Sequence, residues 1–153
     1  MTPRERSKLL QAAEGYFRSG NPGLARITLE SLVAADASSS KAFELLGYVY
    51  GNEDRLADAH RCLETACRLR GASPEAFYYL GVSCLKQGLA EPAIQAFGKA
   101  IALAGPFFEA LHDRGTAYSQ LGRNVSALAS YAAALRLRPD AFHLVFNIGK
   151  VYD

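Results

Sequence analysis

The chain has 153 residues, half of them apolar and 21% charged, and its 17 basic and 15 acidic side chains leave a net charge of +2. That balance is ordinary for a globular chain, and with both signs interspersed it gives no electrostatic case for DNA, RNA or an anionic membrane surface as partner. No apolar run approaches the roughly 18 residues needed to span a bilayer, and the amino terminus MTPRERSKLLQ carries no secretory apolar stretch, so no membrane role is expected and the location expected is cytoplasmic.

Taken in order, the chain reads as a succession of short helices. Thr2, Pro3 and Glu5 make a helix start, with Thr as N-cap, Pro in the first turn and Glu three residues after the cap. The first helix is expected over 3–18, burying Leu9, Ala12, Ala13 and Tyr16. A turn at Gly20, Asn21, Pro22 and Gly23 leads into a second helix that ends near Ala35. Ser38, Ser39 and Ser40 read as a turn with a hydroxyl cap. Helices follow over 40–52, 55–70, 74–87, 90–103, 107–121 and 124–137, and a last one is expected from Asp140 to the end. No strand pattern appears.

Stepping along by 34 residues makes the chain repeat. The unit is clearest over 74–107, where Phe77, Leu80, Gly81 and Cys84 mark one helical face and Ala93, Phe97, Ala100 and Ile101 mark the next. Gly47, Gly81, Gly115 and Gly149 share one register, Ala25, Ala59, Ala93 and Ala127 another, and Tyr16, Tyr50, Cys84, Tyr118 and Tyr152 a third. A fixed period of this length is the signature of a stacked repeat array. Gly inside a helix costs about 1 kcal/mol relative to Ala, so its recurrence implies close approach of two helices, with Gly on the first meeting Ala on the second.

These residues resemble the tetratricopeptide repeat. Its pattern of a large residue, Leu-Gly and Tyr, then Ala and an aromatic, appears as Phe43, Leu46, Gly47, Tyr50, Ala59 and Leu63. It returns as Phe77, Leu80, Gly81, Cys84, Ala93 and Phe97, then as Leu111, Gly115, Tyr118, Ala127, Tyr131 and Pro139. Arg114 stands where the family prefers Leu, Ala13 replaces the first Gly, and Gly71 and Gly105 sit where Pro is usual. The resemblance implies an all-α, right-handed superhelical solenoid of antiparallel helix pairs. It would be a single domain over 1–153 with repeats at about 6–39, 40–73, 74–107 and 108–141, plus one extra C-terminal helix as a partial fifth at 142–153.

Chemistry is sparse. Cys62, Cys67 and Cys84 fit no metal-ligand spacing and read as small packing residues, Cys84 standing in the Tyr register. Of the histidines His60, His112 and His143, His112 with Glu109 and Asp113 is the nearest to a cluster, read as an exposed helix face, with no ligand or nucleophile from another helix evident. No phosphate loop, dinucleotide fingerprint or hydrolase motif occurs. No catalytic residue, cofactor or metal is expected, and the chain reads as a non-enzyme.

What remains is a surface. In the family that these motifs resemble, first helices line a concave groove that takes a peptide or protein segment. Carrying the register across names Glu14, Glu44, Tyr48, Glu75, Tyr78, Tyr79, Val82, Glu109, His112, Asp113 and Asn147 as groove candidates, an aromatic patch with acidic flanks. Basic or apolar peptides are therefore expected over acidic ones. The family's clamp for acidic chaperone tails fails, because its Lys, Asn and Arg registers hold residues such as Glu14, Glu44, Tyr48, Tyr79 and Glu109. The asparagine ladder of protein O-glycosyltransferases fails too, reading Gln11, Leu45, Tyr79, Asp113 and Asn147. Two alternatives to a peptide-binding module stay open: the N-terminal arm of a larger enzyme such as a glycosyltransferase, and a purely structural spacer. The last helix stops mid-motif with Phe142, Phe146 and Val151 expected at its open face, which suggests a longer parent protein and self-association through this helix.

Overall fold

The computed structural model describes residues 1–152. Asp153, the last residue of the expected fifth unit, lies outside the described residues, as does the side chain of Tyr152. The described residues form α1 (Pro3–Arg18), α2 (Pro22–Ala35), α3 (Ser40–Asn52), α4 (Leu56–Arg68), α5 (Pro74–Lys86), α6 (Ala90–Ala104), α7 (Phe108–Gln120), α8 (Asn124–Leu137) and α9 (Phe142–Tyr152), with no strand among them. Among these residues no helix is long and apolar enough to cross a membrane. Two compact units divide inside α5, Met1–Tyr79 and Leu80–Asp153.

In the first unit α1 packs on α2, α3 on α4, and α2 also on α3. Thr2 caps α1 in a reciprocal box with Glu5, and the Ser39 hydroxyl caps α3 by accepting from the Ala42 amide at 3.2 Å. Ala13, Ala25, Leu29, Leu32, Leu46 and Val49 form the core. Tyr50 closes it, donating its hydroxyl to Glu30 of the preceding pair at 2.7 Å. Tyr16 holds the same register but is 38% exposed, against the expectation that it is buried. The reason is visible in Tyr50: this register packs against the pair before its own, and α1 has none in this chain.

In the second unit α7 packs on α6 and α8, and α9 on α8. Leu111, Ala127, Tyr131, Ala134, Leu144 and Val151 make the core. Val151 is therefore buried, at 8% exposure, not at the open face as expected. Leu144, Ile148 and Val151 recur at i, i+4 and i+7 and turn inward together. Phe142, Val145 and Phe146 fall on the opposite side, 79%, 60% and 66% exposed.

At three of the four recurrent glycines the nearest neighbour is a large side chain. A Cβ on Gly81 would fall 2.5 Å from the Phe97 ring, one on Gly115 2.6 Å from the Tyr131 ring, and one on Gly47 2.6 Å from Leu63. At Gly47 the Ala59 carbonyl oxygen also lies close, 3.2 Å from the added Cβ. Gly149 has nothing within 4 Å. Arg114, the departure from Leu, leaves its Nε buried with no hydrogen-bond partner.

The turn inside each hairpin also recurs. Gly20, Gly88 and Gly122 adopt φ of +79°, +74° and +68°, and the next residue's amide returns to the carbonyl of Tyr16, Cys84 or Tyr118 at 2.9, 2.9 and 3.0 Å. Asp54 occupies the same place at φ +59°, a left-handed conformation that a residue with a Cβ adopts at some cost.

Candidate functional site

The first unit carries a cavity of about 290 Å³. It is built by one face each of three first helices: Ala13, Glu14, Phe17 and Arg18 on α1; Lys41, Glu44, Leu45, Tyr48 and Val49 on α3; and Glu75 and Tyr79 at the start of α5. The three- and four-residue spacings within each group put them on a single side of their helix. Leu29 of α2 closes the floor.

Its wall is a row of rings. Phe17 meets Tyr48 edge-on, centroids 5.1 Å apart, Tyr48 meets Tyr79 at 4.8 Å, and Tyr79 meets Tyr78 at 5.6 Å. Phe17 was not among the sequence candidates. One and two periods on, its register holds Gly51 and Leu85, so the repeat does not mark it. The signal that finds it is its place one turn after Glu14 on the same helical face.

The rim is charged, but less than the residue types suggest. Glu44 is not the solvent-facing acid expected: it is 2% exposed. Lys41 Nζ donates to its Oε1 at 2.6 Å and the Ser73 hydroxyl to its Oε2 at 2.5 Å. Since Ser73 Oγ also accepts from the Ala76 amide at 3.0 Å, Glu44 fastens α3 to the N-terminus of α5. Glu14 lies 3.7 Å from Arg18. Glu75 is exposed and has no hydrogen-bond or ion-pair partner among the described residues. Burial, then Tyr48, Glu44 and Glu75 in turn, push the Tyr79 hydroxyl above the usual phenol range.

The remaining candidates lie in the second unit. Val82 is half-buried on α5. His112 and Asp113 are not on an exposed face as expected, their side chains being 25% and 22% exposed. His112 Nδ1 lies 2.9 Å from Asp113 Oδ1, and its Nε2 lies 3.4 Å from Nδ2 of Asn147 on α9. The His112 ring stacks on Phe108 at 6.1 Å and meets His143 at 5.5 Å. Glu109 accepts from Arg138 at 2.6 Å, and that guanidinium lies 4.3 Å over the Phe108 ring. His143 was not among the groove candidates, although it stands one period after Glu109, and that register is the signal that finds it.

Among the described residues no group of three or more His, Cys, Asp or Glu side chains is placed to hold a metal ion. Burial pushes the Cys62 thiol up to about 11, which keeps it protonated and unreactive near neutral pH.

Comparison with known proteins agrees with this architecture. A family model described as tetratricopeptide repeat matches residues 45–107 and 112–153. Protein O-mannosyl-transferase TMTC1 of Homo sapiens is 24% identical over 155 aligned residues, which take in 99% of this chain but 18% of that protein. The chain thus spans less than a fifth of the length of this curated relative. Among solved structures, MamA superposes with a TM-score of 0.89 at 22% identity, covering 99% of this chain and 82% of its own. YrrB, described as a TPR protein with an unusual peptide-binding site, gives 0.87 at 22% identity, covering 94% and 74%. The all-α fold is that of tetratricopeptide solenoids, a protein-interaction scaffold. Matched over most of its length by that family model, and built from hairpins in which glycine faces a large side chain, the chain belongs to the tetratricopeptide repeat family.

Proposed function

We propose that the chain is a non-catalytic interaction module whose first unit binds an extended peptide segment of a protein partner across α1, α3 and the start of α5. The observation that carries this reading is the row Phe17, Tyr48 and Tyr79 bordering an open cavity. Tyrosines offer contact area at a low entropic cost and dominate binding hot spots. Random twelve-residue peptides displayed on phage and selected on the protein test it. The selected peptide, resynthesised and titrated by fluorescence anisotropy, is expected to saturate, and Tyr48→Ala to weaken it at least tenfold, in line with a hot spot worth roughly 2 kcal/mol. No saturable binder, or a binder indifferent to Tyr48→Ala, leaves the spacer reading in its place.

One observation favours a second reading, the repeat arm of a longer glycosyltransferase: the match to a protein O-mannosyl-transferase runs through 99% of this chain. Sequencing the source transcript in both directions separates the two, since the arm reading requires a transferase domain in the same open reading frame.

A further inference from the structure

We infer that the cavity of the first unit receives one lysine or arginine side chain of the bound peptide, its stem on the floor and its charge against Tyr48, Tyr79 and Glu75. This rests on the peptide-binding reading and adds the chemistry of the segment recognised. Three observations converge on it.

The first is size and lining. At about 290 Å³ the cavity stands at the low end of ligand pockets, suited to a single long side chain rather than to a cofactor. Its floor is apolar, with Ala13, Leu29 and Val49 all buried, while its mouth carries charge. An occupant with a hydrocarbon stem and a polar head satisfies both ends, and only long cationic side chains combine such a stem with a head that stays charged.

The second is the aromatic wall. Tyr48 and Tyr79 both line the cavity, 4.8 Å apart with their planes inclined at 43°. Ring faces attract ammonium and guanidinium groups and give nothing to a carboxylate.

The third is the balance of charge. The cavity is lined by three carboxylates, Glu14, Glu44 and Glu75, and by two cations, Arg18 and Lys41. Both cations are engaged, Lys41 by Glu44 and Arg18 by Glu14. Among the described residues Glu75 has no hydrogen-bond or ion-pair partner, so the charge that completes the set is positive. The field at Tyr79 has the same sign, since Glu44 and Glu75 both help to hold its hydroxyl protonated.

The test uses the phage-selected peptides from the intact chain. The result expected is a Lys or Arg at one fixed position in the selected sequences. Replacing that residue by norleucine in the synthetic peptide should weaken binding about tenfold, the scale of a desolvated cation–π contact with a carboxylate beside it. Glu75→Gln, at an exposed site that leaves the fold intact, should reduce the lysine-over-norleucine preference without abolishing binding of the norleucine peptide. Selected peptides that need Tyr48 but carry no fixed cation, or bind norleucine as well as lysine, overturn the cation site and leave the peptide-binding reading standing. A fixed cation whose advantage survives Glu75→Gln unchanged places the charge elsewhere and overturns it as well. Absence of any Tyr48-dependent binder overturns both.

Discussion

The two units place different chemistry in the same register. One period after Leu45 stands Tyr79, then Asp113, then Asn147; one and two periods after Glu44 stand Tyr78 and His112. In the first unit these positions supply rings around an open cavity with Glu75 left over. In the second they supply polar groups that satisfy one another, His112 with Asp113 and Asn147, and Glu109 with Arg138. A repeat fixes where a side chain stands; the residue type decides whether that place remains available to a partner. Polar groups bonded to neighbours have little affinity left to offer, because a new contact must first replace an existing one.

The largest expected effect breaks this comparison at the backbone. Gly115→Ala pushes a Cβ against the Tyr131 ring, and overpacking of this kind costs roughly 1–3 kcal/mol. Gly149→Ala, in the same register of the same unit, meets nothing within 4 Å and should gain up to about 1 kcal/mol from helix propensity. Urea melts of the two variants give opposite signs if the glycines serve close packing. Equal shifts contradict that role.

Next comes the site itself. Tyr79→Ala is expected to reduce affinity for the selected peptide at least as much as Tyr48→Ala, and His112→Ala to change it less than twofold. Anisotropy titrations of the three variants read this directly.

Arg114→Leu restores the repeat consensus and removes a buried donor with no partner. Leaving such a group unsatisfied costs about 1–3 kcal/mol, so the substitution should raise the urea midpoint. Asp54→Gly should stabilise by a smaller amount, about 0.5–1 kcal/mol, because glycine adopts the +59° backbone without strain and the turn otherwise stays as it is.

The smallest effect concerns acid. Ser38, first through its hydroxyl, and then the Arg6 guanidinium hold Asp36 down to about 2. A carboxylate lowered in the folded state contributes stability above its unfolded value near 3.9, and that contribution is lost as pH falls toward 2. Thermal melts at pH 5 and pH 2.5 should therefore differ less for Asp36→Asn than for the parent chain. An identical difference in both removes Asp36 from the account.

Most of the architecture was legible in the sequence, because the signals that set it are local. Thr2 and Glu5, Ser39, and the left-handed residue at the end of each hairpin's first helix act within four positions of the backbone they cap. The period did the rest, and it erred where a neighbour was missing or unlike the others. Tyr16 was expected inside on the periodicity of its own helix, but its register packs on a preceding pair, as Tyr50 does on Glu30, and the described residues hold no such pair for Tyr16. The nearest atoms to Gly47, Gly81 and Gly115 belong to Leu63, Phe97 and Tyr131, one turn beyond the alanines that the period paired with them. The site was less legible. Phe17 has no ring one period on, where Gly51 stands, His143 follows the candidate Glu109 by one period but is a different residue type, and the burial of Glu44 depends on Lys41 and on Ser73, the latter 29 residues distant in the chain.

The central claim is that the aromatic cavity of the first unit is the surface that binds. The most direct measurement is the set of intermolecular nuclear Overhauser contacts from the selected peptide to the aromatic rings, with the peptide unlabelled and the protein carbon-labelled. The account predicts contacts to Phe17, Tyr48 and Tyr79 and none to Phe108, His112 or His143; a peptide that contacts the histidine cluster and leaves those three rings untouched would contradict it.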